Sequence, residues 1–227
     1  MSIKTNIQHI KENLLETVML VAVSKTQPNK AILEAYQVGQ RIFGENKVQE
    51  LVAKYEILPK DIEWHMIGHL QTNKVKYIAP FVHLIHGIDS FKLLVEVNKH
   101  AQSNHRIINV LLQVFIAKEE TKFGFSEEEI IDLLNSKAFQ ELKNIKVVGL
   151  MGMATNTDNE QQIRKEFKSL RLLFEQINIS NLKFPISNFK HGHEQRLRHC
   201  HRRRFYHDTS WKFNLWRKVN VIQFHLQ

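Results

Sequence analysis

Up to about residue 177, short apolar runs alternate with longer stretches in which apolar residues recur every three or four positions. The runs at residues 18–23, 41–43, 63–67, 82–85, 107–115 and 146–151 are short, rich in Val and Ile and bounded by polar residues, a pattern that predicts strands. The stretches at 29–38, 48–55, 72–77, 91–102, 126–134 and 160–176 carry the helical period. Ser126 followed by Glu129 is a capping box, with Ile130, Leu133 and Leu134 at helical spacing behind it. Strand–helix units repeated in this way imply parallel strands covered by helices. A (β/α)8 barrel cut short and a doubly wound open sheet both fit. A doubly wound nucleotide binder opens on a glycine-rich turn, whereas the first strand here ends in Ser24-Lys25-Thr26, which favours the barrel.

Composition changes abruptly near residue 190. Residues 190–227 hold nine Lys and Arg against two acids, a net of +7, which leaves only +2 of the total +9 for residues 1–189. The same segment holds six of the thirteen histidines, two of the three tryptophans and the single cysteine, Cys200. The basic balance therefore belongs to the tail, and it does not mark the rest of the chain as a partner of polyanions. One cysteine excludes a disulfide framework. No apolar stretch is long enough for a membrane span, and the amphipathic start lacks the apolar core of a signal peptide, so a cytoplasmic protein with no membrane partner is expected.

The candidate chemistry gathers at the ends of the predicted strands. Lys25 follows Val-Ala-Val at the C-terminal end of the first, the edge at which parallel α/β folds build their sites. Shielded from water there, a lysine amine is a competent nucleophile toward an aldehyde. Later strands end in FGEN (43–46), WHMIGHLQ (64–71), HGIDS (86–90), EETKFG (119–124) and GLMGM (149–153). Taken singly, His65 could be a hydrogen-bonded core histidine and Gly44 a turn. Their recurrence at successive strand ends points to one shared face.

The ordered set VAVSKTQP, FGENKVQE, WHMIGHLQTNK, HGIDS, EETKFGF and VGLMGM closely resembles the pyridoxal-phosphate homeostasis proteins, single-domain relatives of the barrel domain of alanine racemase. The resemblance runs from about residue 5 to 184. It implies a (β/α)8 barrel that holds pyridoxal 5′-phosphate as an aldimine on Lys25. Asn46 would lie at the cofactor face, with His69 and Met151 as further candidates, and no metal site is implied. Proteins of this kind bind, buffer and deliver the cofactor, so partners would be the cofactor itself and apo-enzymes that receive it. The alternative is an amino-acid racemase or another enzyme using the same lysine. Racemisation needs acid–base groups on both faces of the substrate, and no second domain is expected here to supply the opposite one, which leans the reading away from an enzyme.

The ending departs from that family, whose seventh strand carries SMGMS and whose eighth carries GSTMxRxG, both contacting the cofactor phosphate. Neither motif occurs in this chain. Yet the codons AAT TTT AAG CAT GGG CAT GAG CAA encode residues 188–195, and read one base later they give ILSMGMS. Allowed codons continue that frame through GSTMIRVG to a stop. Residues 190–227 therefore read as out-of-frame translation, and residues 1–189 as a barrel missing the end of its seventh strand and its eighth. On this reading the first strand lacks a neighbour and the tail is irregular. His191, His193, His199, Cys200 and His201 lack the paired spacing of a zinc finger, and Arg202–Arg204 make no nucleic-acid patch, because a shifted frame rich in CAT, CGA and AGA yields both by itself.

Overall fold

The computed structural model describes residues 3–12, 14, 18–117, 123–179, 213–214 and 220–225. Helix α1 (Ile3–Glu12) precedes strand β1 (Val18–Val23), and the chain then alternates: α2 (Asn29–Gln37), β2 (Ile42–Glu45), α3 (Val48–Ile57), β3 (Glu63–Met66). A 3-10 turn (Thr72–Lys74) runs into α4 (Val75–Ile78), followed by β4 (Leu84–Ile88), α5 (Phe91–Ser103) and β5 (Ile108–Val114). Helices α6 (Glu127–Asn135) and α7 (Lys137–Gln140), β6 (Ile145–Gly152) and α8 (Glu160–Ile179) complete the alternation. The anticipated helix at 72–77 is thus split, and α7 had no counterpart in the sequence reading.

Helix ends follow local chemistry. The Ser126 hydroxyl accepts the Glu129 N–H at 3.2 Å while Glu129 Oε2 accepts the Ser126 N–H at 2.8 Å, the anticipated capping box. Ser90 caps α5 through the Leu93 N–H at 3.3 Å. Such caps satisfy orphan donors at a helix start, each worth about 1 kcal/mol.

Strands β1 to β6 pair in sequence order, all parallel, as right-handed strand–helix–strand units require. Side chains alternate between two apolar layers. Phe43, Trp64, Met66, Val110, Leu112 and Val147 join helix residues such as Ile32, Leu51, Leu94 and Phe167 in the outer layer. Leu84, Leu111, Val148 and Met151 form a separate inner cluster, with Met153 against it. Burial on both faces explains why these strands read as nearly continuous apolar runs.

Near the C-terminus, β8 (Asn220–His225) pairs with β1 in parallel over six residues, from Val18–Asn220 to Val23–His225. This corrects the expectation that β1 would lack a neighbour. The segment contains Val221, Ile222 and Phe224, residues suited to a strand, and an unpaired β1 edge would leave a row of backbone donors and acceptors unmet. β7 (Phe213–Asn214) lies antiparallel on β6, and among the described residues no ladder joins β7 to β8. Among the described residues the barrel is therefore incomplete: an eight-stranded sheet whose two edge strands do not pair with each other.

Candidate functional site

The C-terminal ends of β1 and β2 are bound together by buried polar groups around Lys25. Ser24, fully buried, donates its N–H to the Gly44 carbonyl at 3.0 Å and its hydroxyl to Glu45 Oε1 at 2.6 Å. Its carbonyl accepts from Lys54 Nζ at 2.6 Å. Lys54, on α3, also donates to Glu45 Oε1 and Glu50 Oε1, each at 2.7 Å. Glu50 Oε1 in turn accepts the Thr26 N–H at 2.6 Å. The residues on both sides of Lys25 are thus clamped, and Thr26 is held at φ 62°, a conformation costly for a β-branched residue. Lys25 itself is half-buried. Burial holds the Glu45 carboxyl above the usual carboxylate range, opposed by its bonds to Lys54 and Ser24.

Asn46 follows β2, and its Oδ1 is buried without a hydrogen-bond partner among the described residues. A buried polar atom in that state marks a place where a further group belongs. Beside it, Gly68 follows β3 so closely that a Cβ there would run into the Asn46 carbonyl oxygen and lie 2.8 Å from its Cα. The two strand ends therefore meet main chain to main chain. His69, half-exposed, stands 3.1 Å from Asp89 Oδ2 through Nδ1 and stacks on the Phe123 ring with centroids 5.1 Å apart. Met151 is buried on β6, in register with Gln113 on β5. Gln113 Nε2 donates to the Phe123 carbonyl at 2.8 Å, tying the segment after β5 to the same edge.

Lys25, Asn46, His69 and Met151 thus all stand at the C-terminal ends of parallel strands, the edge where barrel folds build their sites. Glu119–Lys122 and the histidine and cysteine cluster of residues 191–201 lie outside the described residues. Sequence reasoning missed Lys54 and Gln113. The only local trace of Lys54's role is Glu50 at i−4, a spacing that solvent-facing pairs share. Gln113 sits inside an apolar run and carries no signal of its own.

Lys25 therefore follows β1 at the same sheet edge at which Asn46, with its unpartnered amide oxygen, and Gly68 follow β2 and β3. The family model described as the N-terminal domain of alanine racemase matches residues 1–191. The pyridoxal phosphate homeostasis protein of Aquifex aeolicus is 42% identical over 159 residues, covering 70% of this chain and 69% of its own. That of Haemophilus influenzae is 40% identical over 164 residues, covering 71% and 68%. Among solved structures, PipY of Synechococcus elongatus PCC7942 without PLP superposes with a TM-score of 0.81 at 26% identity, covering 99% of this chain and 98% of PipY. PipY with PLP bound gives 0.79. An alanine racemase of Clostridium difficile shares the fold, with a TM-score of 0.69 at 13% identity, and the match covers 55% of it.

Proposed function

The chain belongs to the alanine racemase N-terminal domain family, and from that premise we propose that it binds pyridoxal 5′-phosphate at the C-terminal edge of its strands and serves the homeostasis of that cofactor. The observation that carries this reading is the clamp of Ser24, Glu45, Lys54 and Glu50 that sets Lys25 at the end of β1. It is supported by relatives named pyridoxal phosphate homeostasis proteins and by PipY, solved with PLP bound.

The residues present suit the group. When bound, the cofactor supplies an electrophilic aldehyde with which a primary amine condenses, and Lys25 offers that amine. The orphaned Asn46 Oδ1 shows that the Asn46 amide has hydrogen-bonding capacity to spare. The close approach of Gly68 to the Asn46 main chain holds the ends of β2 and β3 together at this edge. Met151 adds apolar surface, and His69, oriented by Asp89, offers a polar tip. The role is storage and delivery to apo-enzymes in the cytoplasm rather than turnover of an amino acid. Residues 1–189 carry the binding site and strands β1 to β6, and residues 190–227, which supply β7 and β8, are an out-of-frame tail. The edge of β1 is then filled by a segment without the phosphate motif expected there.

Borohydride reduction of the protein loaded with pyridoxal phosphate tests the lysine. The cofactor should be recovered on the peptide containing Lys25, and Lys25→Ala should abolish the near-visible absorbance. Label on another lysine, with Lys25→Ala unaffected, would exclude the assignment. Racemisation of an amino acid by the purified chain would exclude the storage role.

A further inference from the structure

β3 and the residue that precedes β4 carry a second cluster that the cofactor site does not use. Glu63 opens β3, and His65 stands two residues later on the same face of the strand. His83 immediately precedes β4, whose first residue, Leu84, pairs with His65. His83 Nε2 lies 3.6 Å from Glu63 Oε2, and the rings of His65 and His83 stack with centroids 5.6 Å apart at 16°. One ligand atom from each of Glu63, His65 and His83 falls within 4.8 Å of the other two.

His65 supplies the independent observation. It is fully buried, and its Nδ1 shares a hydrogen bond of 3.0 Å with His86 Nε2. Its Nε2 is buried as well and has no hydrogen-bond partner among the described residues. Unless something fills that position, the chain has hidden a ring nitrogen from water for no return.

We propose that Glu63, His65 and His83 form a binding site for a divalent cation of the zinc class, with a water completing its coordination. Two imidazoles and one carboxylate make a borderline-soft donor set that suits zinc and its neighbours better than magnesium or calcium. A tetrahedral ion about 2.0–2.1 Å from each ligand needs those ligands roughly 3.3 Å apart, so the Glu63–His83 pair is already close to the required spacing. Small rotations at the two half-exposed side chains complete the set. His86 suits the role of a metal-binding histidine's outer partner: in the tautomer in which His65 Nδ1 carries the proton, it donates to His86 Nε2 and leaves its own Nε2 for the ion. Glu63 and His83 are partly exposed, with side chains 43% and 38% accessible, so the ion reaches the site from solvent. Bound there, it would pin the start of β4 to β3.

The test uses the full chain in equilibrium dialysis against Zn²⁺ and in absorption titration with Co²⁺. Residues 190–227 contain six histidines and Cys200, so the decisive reading is the difference between parent and variants. The parent should bind one equivalent more than Glu63→Gln/His83→Asn, with tetrahedral Co²⁺ bands that the variant lacks. His83→Asn alone should weaken that equivalent by about 100-fold, the upper end of what even outer partners contribute. Both substituted residues are half-exposed, so folding can be checked by circular dichroism. If a variant does not fold, ¹⁵N histidine spectra of the parent replace it, and addition of Zn²⁺ should shift His65 Nε2. Equal stoichiometry in parent and variant, or a His65 resonance unmoved by Zn²⁺, would overturn the proposal.

Discussion

Replacing Lys54 with methionine tests how the Lys25 strand end is held. Methionine keeps most of the stem of Lys54 while removing the ammonium, which donates to the Ser24 carbonyl at 2.6 Å and to Glu45 and Glu50, each at 2.7 Å. The side chains of Lys54 and Glu45 are 7% and 0% exposed, so water cannot replace the lost cation at Glu45. Breaking a buried pair by deleting one partner costs about 3–5 kcal/mol. Glu45 can escape part of that cost by taking up a proton, since burial already holds its carboxyl above the usual range. A carboxyl raised in the folded state favours folding at low pH, and its penalty develops as pH rises through the folded value. Removing Lys54 raises it further, so the loss should be largest near pH 8 and shrink toward pH 5. Urea unfolding followed by circular dichroism at both pH values measures this. Glu45→Gln in the Lys54→Met background should recover most of the loss, because it removes the stranded charge. A cost of about 1 kcal/mol or less, independent of pH, would place this pair with weak surface ion pairs and refute the reasoning.

Three further outcomes follow from other parts of the molecule. Gly68→Ala drives a Cβ into the Asn46 main chain, and should cost about 1–3 kcal/mol by thermal or urea unfolding while weakening cofactor titration more than an exposed substitution does. Ser126→Ala removes the cap of α6, and should cost about 1 kcal/mol by urea unfolding. Restoring the reading frame from residue 188 should return SMGMS and GSTM, hence several charge-assisted bonds to phosphate worth about 1.5–3 kcal/mol each. A soluble yellow protein is expected from the restored frame and a colourless or insoluble one from the written chain; equal cofactor titration by the two would show the motifs to be dispensable.

The apolar pattern by itself located β1 to β6 to within a few residues, along with most of the covering helices. Strand and helix periods are local properties, and a strand buried on both faces cannot avoid an apolar run. The strand-end motifs also placed Lys25, Asn46, His69 and Met151 on one edge, because parallel topology puts every strand's C-terminus on the same side. What the sequence could not express was pairing between distant side chains. Lys54 looks like any lysine one helical turn after a glutamate, until the packing of α3 brings it against Ser24 and Glu45, 30 and 9 positions away. His65, His83 and His86 meet because the register of β3 against β4 sets His65 opposite Leu84, and that register is decided by the whole sheet. The pairing of β8 with β1 is of the same kind. Asn220–His225 carries only a general strand preference, and the unmet backbone groups of β1, just over two hundred residues earlier, determine where it goes.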